Sequence, residues 1–307
     1  MRVAGVTALG EPVETLEVDE LGPPAAEELL IEVVAAGVGN WDELVRIGSW
    51  QVGGPAPLAL GTEAAGTVTA VGSGVTHLRE GDEVITHPLP LRRHGTWAER
   101  VLAPAAAVAL RPRAASWEAG GAFPIPALTA AQALDEALGV ENGDWLLVNG
   151  AGGVTGGLLV QLAAARGARV IATARANKAE RVRGYGASEV LDYHGDWPAL
   201  VREITGGGAA KAVNAARGQA ATTLSAVADG GRLATITGDA PREMRGVAVS
   251  DVYVRPDGGK LSTLAELLAL GTLSVPIASV HPLEQAARAL REAVEGADGA
   301  IVLSPRT

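Results

Sequence analysis

Two hydrophobic patterns divide the chain. Up to about residue 110, short apolar runs alternate with polar positions and break at turns. The stretch 28–36 is rich in β-branched residues, 66–71 alternates, and 82–86 follows a Gly-Asp turn. Helical spacing is weak here, and Pro55, Pro57, Pro88 and Pro90 mark loops. This part predicts an antiparallel, β-rich domain. From Pro124 onward, apolar runs of strand length alternate with helical segments. Strands are predicted at 144–149, 169–173, 189–192, 211–214, 232–236 and 247–254, and helices at 127–138, 153–166, 177–184, 196–204, 219–228 and 258–270. Repeated strand and helix units make a parallel sheet covered on both faces. The tail predicts a strand at 273–278, a helix beginning at Pro282 and a strand at 299–303. It lacks a further strand–helix unit and is expected to return to the first domain. The expected division is therefore 1–121 with 272–307, β-rich, and 122–271, a doubly wound α/β domain.

The glycines show where ligand chemistry is expected. Forty of the 307 residues are Gly, about twice the usual share. The densest cluster is Asn149-Gly150-Ala151-Gly152-Gly153-Val154-Thr155-Gly156-Gly157. It follows a predicted strand and opens a predicted helix, the context of a dinucleotide-binding turn in a Rossmann domain. Amides at the helix start and the positive end of its dipole favour a pyrophosphate, which side chains at Gly152 and Gly153 would obstruct. The spacing Gly150-x-x-Gly153-x-x-Gly156 departs from G-x-G-x-x-G, and a turn that only lets strand and helix pack closely is the alternative. An NAD site usually carries an acid at the end of the next strand, bonded to the adenosine 2′-hydroxyl. Residues 169–178 contain none. Thr173, Arg175 and Lys178 suit a 2′-phosphate, so NADPH is expected over NADH. The competing reading makes Arg175 and Lys178 solvated charges at a helix start.

Composition then removes other chemistries. The chain has no Cys, which excludes a disulfide framework, a thiol nucleophile, an iron–sulfur cluster and Cys-ligated zinc. Its five His, at 77, 87, 94, 194 and 281, lack metal-ligand spacing, and no metal is expected. A net charge of −10 argues against a nucleic-acid partner. The absence of a signal-like start or a long apolar run predicts a soluble, cytoplasmic protein with no membrane partner.

At this point the chain resembles the medium-chain dehydrogenase/reductase superfamily, and within it the zinc-independent quinone oxidoreductases of the zeta-crystallin-like branch. Gly61-Thr62-Glu63-Ala64-Ala65-Gly66, Gly81-Asp82-Glu83-Val84 and Gly95-Thr96-Trp97-Ala98-Glu99 match landmarks of the family's GroES-like catalytic domain. Pro126-Ala127-Leu128-Thr129-Ala130, the glycine turn and Asp192-Tyr193 match its cofactor domain. The resemblance implies a catalytic domain formed by both chain ends, a central Rossmann domain and an active site in the cleft between them. It implies hydride transfer from NADPH to a quinone or to the β-carbon of an α,β-unsaturated carbonyl compound. It also implies a homodimer joined at a sheet edge, for which 246–254 is the candidate strand. Zinc-dependent members hold the metal with Cys and the His of a Gly-His-Glu motif; here Thr62 stands at the His position. Rival readings are an enoyl reductase acting on a carrier-bound intermediate and a non-catalytic NADPH-binding protein.

The family's G-V-N-P-x-D loop aligns with Gly37-Val38-Gly39-Asn40-Trp41-Asp42, so its Asn falls on Gly39 and its Pro on Asn40. Asn40 and Asp42 are candidate catalytic residues, with Trp41 walling the pocket. The alternative for Asp42 is a structural pair with Arg46, four residues on. Thr129 is expected to bond the nicotinamide amide, or to be a helix Thr. Arg255 is expected at the end of a Rossmann strand, stabilising a developing enolate or attracting phosphate, or else to be a surface charge. The expected cofactor residues are Gly150, Gly152, Gly153, Val154, Gly156, Thr173, Arg175, Lys178, Tyr193 and Gly238. Trp50 and Trp97 line the substrate pocket in one reading and belong to the core in the other.

Overall fold

The computed structural model describes residues Met1–Pro305. The chain forms two units: one combines Met1–Leu128 with the chain from Arg255 onward, and the other is Thr129–Val254.

The terminal unit opens with β1 (Arg2–Val6) and β2 (Glu14–Glu17), followed by the long β3 (Glu28–Val38) and a short helix α1 (Trp41–Arg46). Next come β4 (Leu58–Ala59), β5 (Ala64–Val71), β6 (Glu83–Thr86), β7 (Arg100–Pro104) and β8 (Val108–Leu110). β3 is the hub of a seven-stranded sheet and pairs antiparallel with both β5 and β7. Its pattern explains why: Leu29, Ile31 and Val33 are fully buried, while Leu30, Glu32 and Val34 between them are half-buried. Burying each such side chain contributes about 1.5–3 kcal/mol. Trp97, Val101 and Leu60 pack in the same core. Two short helical segments, α2 (Trp117–Gly121) and α3 (Pro124–Gln132), then lead into the central unit. A π-helical turn extends α3 to Leu138 before left-handed Gly139 ends it.

The central unit is a six-stranded, wholly parallel sheet. Along the chain it comprises β9 (Trp145–Asn149), α4 (Val154–Ala165), β10 (Arg169–Ala174), α5 (Ala179–Gly184), β11 (Glu189–Asp192) and α6 (Trp197–Thr205). β12 (Ala209–Asn214), α7 (Ala220–Ser225), β13 (Val227–Thr235) and β14 (Ala248–Asp251) complete it. The strand order is β11-β10-β9-β12-β13-β14. The chain therefore steps outward from β9 to β11 and returns to the other side of β9 at β12, which makes the β9/β12 boundary the topological switch point. This is the expected doubly wound Rossmann arrangement. Leu146, Leu147 and Val148 are buried on both faces, as in a covered parallel strand.

After Val254 the chain rejoins the terminal unit through α8 (Gly258–Ala269), β15 (Ile277–Pro282), α9 (Ala286–Glu295) and β16 (Ala300–Ser304). β16 pairs antiparallel with β3, and β15 runs parallel to β16. Three expectations change here. The helix expected to close the Rossmann domain, α8, packs on the terminal unit: a Cβ on Gly258 would lie 2.7 Å from the carbonyls of Ala106 and Val108, an approach that only Gly permits. The units thus divide at Leu128/Thr129 and Val254/Arg255, where the sequence suggested 121/122 and 271/272. The strand expected at 273–278 is β15 instead, because Pro276 has no N–H to donate and its carbonyl accepts Ala300 N–H at 2.7 Å. Pro282 ends that strand, and the helix begins at Ala286. Among the described residues, no helix is long and apolar enough to cross a membrane.

Candidate active site

The glycine turn sits at the C-terminal end of β9, beside the switch point. Its glycines have distinct jobs. Gly150 has φ +89°, and a Cβ there would press the Ala215 and Ala216 backbone at 2.9–3.1 Å. A Cβ on Gly156 would lie 2.2 Å from the Gly150 carbonyl oxygen. These two let turn, helix and neighbouring loop close on one another. Gly153 faces open space, since a Cβ there would have its nearest neighbour 3.7 Å away, and it begins α4 in extended conformation. Val154 is the first helical residue. The first-turn amides of α4 have no carbonyl within the helix to receive them, so the open side of Gly153 is a cradle that fits a phosphate and that a side chain would fill, while a Cβ on Gly152 would lie 2.8 Å from Lys178 Cδ.

The cations lie beside this cradle. Lys178 Nζ and Arg181 Nη2 both donate to the Gly152 carbonyl, at 3.2 and 3.4 Å. Arg175 is exposed at the end of β10, with its guanidinium 6.0 Å from the Tyr193 ring centroid, and Tyr193 lies 4.0 Å from the His194 ring. Arg181, three residues on from Lys178, which precedes α5, was not foreseen from the sequence. Thr173 requires a correction. It is fully buried, donating to Asn149 Oδ1 at 2.5 Å and accepting Gly150 N–H at 3.0 Å, so its hydroxyl supports the turn from within and is not offered to a 2′-phosphate. Gly238, φ +68°, lies just beyond β13, and Thr129 is buried on α3.

In the terminal unit the chemistry is concentrated in buried carboxyls. Asp42, on α1, is fully buried; Oδ2 accepts Gly39 N–H at 2.9 Å and Oδ1 accepts the Thr62 hydroxyl at 3.5 Å. Burial pushes its carboxyl up to about 7, against the pull of those two donors. Thr62 in turn accepts Trp41 Nε1–H at 3.2 Å. A Cβ on Gly39 would lie 2.2 Å from the Trp41 indole, which explains why Gly precedes Asn40 in this loop. Next to Thr62 in the chain, Glu63 is also buried, and accepts Ile125 N–H at 2.8 Å at the start of α3. Burial first, and then the Asp42 charge, raise it well above the carboxylate range. His87 donates from Nδ1 to the Thr62 carbonyl at 2.7 Å, and burial lowers it to about 4, so Nε2 carries a lone pair. Thr62 as the partner of Asp42, with Glu63 and His87 around it, was not foreseen from spacing.

The proposed Asp42–Arg46 pair does not form. Arg46 bonds Glu43 at 2.7 Å and the carbonyls of Gly10 and Glu11. Asn40 is exposed and does not cap α1 with its side chain. Trp97 is fully buried in the core, donating to the Gly37 carbonyl at 3.0 Å, which rules out a pocket-lining role; Trp50 is partly buried against the same core. Arg255 is exposed at the start of the returning segment. Among the described residues, no three His, Cys, Asp or Glu side chains are grouped to hold a metal.

Comparison with known proteins gives this geometry a family. Residues 25–113 match the alcohol dehydrogenase GroES-like domain, and residues 185–303 match the zinc-binding dehydrogenase domain. A solved structure described as an NAD-dependent alcohol dehydrogenase is 32% identical, with 99% of each chain covered and a TM-score of 0.88. The chain belongs to the medium-chain dehydrogenase/reductase superfamily. It is a quinone oxidoreductase-like member: the Salmonella typhimurium quinone oxidoreductase is 36% identical over 63% of this chain. The Escherichia coli quinone oxidoreductase, solved with NADPH, superposes with a TM-score of 0.88 at 26% identity, covering 99% of this chain and 100% of that one. A segment of the Streptomyces venezuelae pikromycin polyketide synthase component PikAII is 36% identical over 60% of this chain. The matched segments span 5% of that synthase component and 59% of the Salmonella enzyme. As a superfamily member the protein has an α/β architecture of GroES-like and Rossmann parts.

Proposed function

We propose that the protein is an NADPH-dependent, zinc-independent reductase acting on a quinone or an α,β-unsaturated carbonyl compound. The observation that carries the cofactor choice is the gathering of Lys178 and Arg181 at the Gly152 carbonyl, with Arg175 at the acid-free end of β10. A 2′-phosphate needs cations there, whereas a free 2′-hydroxyl would want a carboxylate. NADPH, when bound, supplies a hydride. The chain's own work is to bind, orient and manage a proton. In this reading Gly152, Gly153 and Val154 receive the pyrophosphate, Arg175, Lys178 and Arg181 the 2′-phosphate, and Tyr193 the adenosine. Gly238 keeps the backbone beyond β13 open, and Thr129 bonds the nicotinamide amide. Asn40 and Arg255 are assigned to the acceptor oxygen, where Arg255 would stabilise negative charge as it develops. Asp42 is assigned to proton supply, since a carboxyl near 7 exchanges a proton at working pH. Thr62 in place of a His, in a chain without Cys, supports reduction without a catalytic metal.

The test is steady NADPH oxidation by chelator-treated protein across a panel of quinones and 2-alkenals. Turnover insensitive to the chelator is expected; tight NADPH binding without turnover on any acceptor would overturn the enzymatic reading. The identity to a polyketide synthase segment favours a second reading, reduction of a carrier-bound enoyl thioester. A clear preference for an enoyl thioester over free quinones would select it. The edge position of β14 supports a homodimer, which sedimentation would confirm or exclude.

A further inference from the structure

A chain of side-chain hydrogen bonds crosses the C-terminal edge of the central sheet, from the loop after β13 to the glycine turn. It starts at Asp239. A carboxylate only accepts, so the hydroxyls of Thr235 and Thr237 donate to its Oδ1, at 2.9 and 2.5 Å. Their lone pairs must then face Asn214, whose Nδ2 donates to them at 3.2 and 2.9 Å. With its amide so turned, Asn214 presents Oδ1 to Asn149 Nδ2 at 3.1 Å. That leaves Asn149 Oδ1 for the Thr173 hydroxyl, and the Thr173 oxygen for Gly150 N–H. The Ala216 N–H and the Thr223 hydroxyl also donate to Asn214 Oδ1, at 3.4 and 3.2 Å, and Asn214 Nδ2 lies 3.5 Å from Asp239 Oδ1, so Asp239 anchors the end of the chain nearest it.

The chain also ties three loops together. Asp239 Oδ2 accepts Gly218 N–H at 2.9 Å, fixing the loop after β12, and that loop lies so close to Gly150 that a Cβ there would meet Ala215 at 2.9 Å. Asn149, Asn214, Thr173 and Thr235 are all buried. Packing alone would be served by apolar residues, as at Leu146–Val148; a buried polar chain is retained where its geometry is used. Although partial burial opposes it, the bonds from Thr237 and Thr235 hold Asp239 below the usual carboxylate range, so the anchor is charged at neutral pH.

We propose that Asp239 is a positioning residue for the dinucleotide. Through Thr235, Thr237, Asn214 and the Gly218 N–H it orients the loops at 215–218 and 237–239 beside the glycine turn, and with them the seat of the nicotinamide half. The proposal rests on the reading of the glycine turn as a dinucleotide site. Asp239→Asn keeps the shape but sets an N–H donor against either the two hydroxyls or the Gly218 N–H, so one side of the anchor is lost. Calorimetric titration with NADPH and with 2′,5′-ADP, which lacks the nicotinamide half, separates the outcomes. In Asp239→Asn the NADPH Kd is expected to rise about tenfold or more, with 2′,5′-ADP within about twofold of wild type. Thr173→Val, next to the turn, should weaken both ligands, and Thr173→Ser should restore both. Unchanged NADPH affinity in Asp239→Asn, or equal weakening of both ligands, would overturn the proposal. If Asp239→Asn does not fold, Thr237→Val decides: weaker NADPH binding with 2′,5′-ADP unchanged, recovered in Thr237→Ser, supports it, and unchanged NADPH affinity overturns it. A wild-type protein that binds neither ligand would instead refute the dinucleotide reading itself, and this proposal with it.

Discussion

Gly153 and Gly156 lie three residues apart in one turn, yet methyl groups at the two positions should have opposite consequences. At Gly153 the backbone is at φ −83°, ψ 170°, which Ala adopts without strain, and the nearest atom to an added Cβ is 3.7 Å away. Restricting the unfolded chain stabilises by about 0.4–1 kcal/mol, while Ala caps a helix worse than Gly by a similar amount. The two effects nearly cancel, and the melting temperature of Gly153→Ala should stay within about 2–4 °C of wild type. The methyl nevertheless projects into the cradle at the start of α4, so NADPH affinity should fall about tenfold or more, about 1.4 kcal/mol. At Gly156 the methyl would lie 2.2 Å from the Gly150 oxygen and 2.9 Å from the Ala151 Cα. Helix and turn must part by about 1 Å, at a cost of about 1–3 kcal/mol, and Gly156→Ala should lose stability and cofactor together. Thermal melts with fluorescence titration of NADPH measure both. Wild-type affinity in a folded Gly153→Ala would refute the assignment of that open face to the pyrophosphate.

Three further outcomes are expected. Arg175→Asp should weaken NADPH about tenfold or more while sparing NADH, because it replaces a phosphate-binding cation with the acid that suits a 2′-hydroxyl; unchanged preference in paired titrations would remove Arg175 from the site. Asp42→Asn should flatten the pH dependence of stability. The folded carboxyl keeps its proton up to about 7 while an unfolded Asp releases it near 3.8, so the folded state binds more protons between about pH 4 and 7 and stability falls as pH rises through that window. The effect is at most about 4 kcal/mol, read from urea melts at pH 5 and pH 8; an unchanged slope would contradict the buried carboxyl. Gly39→Ala should drive the Trp41 indole off Thr62, 2.2 Å being no contact distance, and shift Trp emission toward that of a solvated indole; an unaltered spectrum would refute the packing of that loop.

Much of this architecture was legible because it rests on continuous signals. Leu146–Val148 and Val170–Ala172 read as covered strands since both faces are apolar, and the turn between them stood out through its glycines. The rest depended on which way single side chains point. Thr173 looks like a ligand to a 2′-phosphate by position, but it ends a strand with its hydroxyl turned inward, where Asn149 and Gly150 take it. Asp42 and Arg46 have the spacing of a helical pair, yet burial claims Asp42 for Gly39 and Thr62, and Arg46 finds Glu43 closer to solvent. The bonds from Asn214 to Asn149, from Gly218 to Asp239 and from Ile125 to Glu63 join residues more than twenty positions apart, and no local pattern announces them. The placement of α8 rests on its packing against β8 and the turn before it, tight at Gly258, which its helical periodicity does not announce.

If the glycine turn and its neighbouring cations form the cofactor site, the protein selects NADPH over NADH. Calorimetric titration of the intact protein with NADPH and NADH in parallel tests it most directly. NADPH is expected to bind at least about tenfold tighter than NADH, with the difference shrinking as salt screens the cations around Gly152. Equal affinities, or tighter NADH binding, would contradict it.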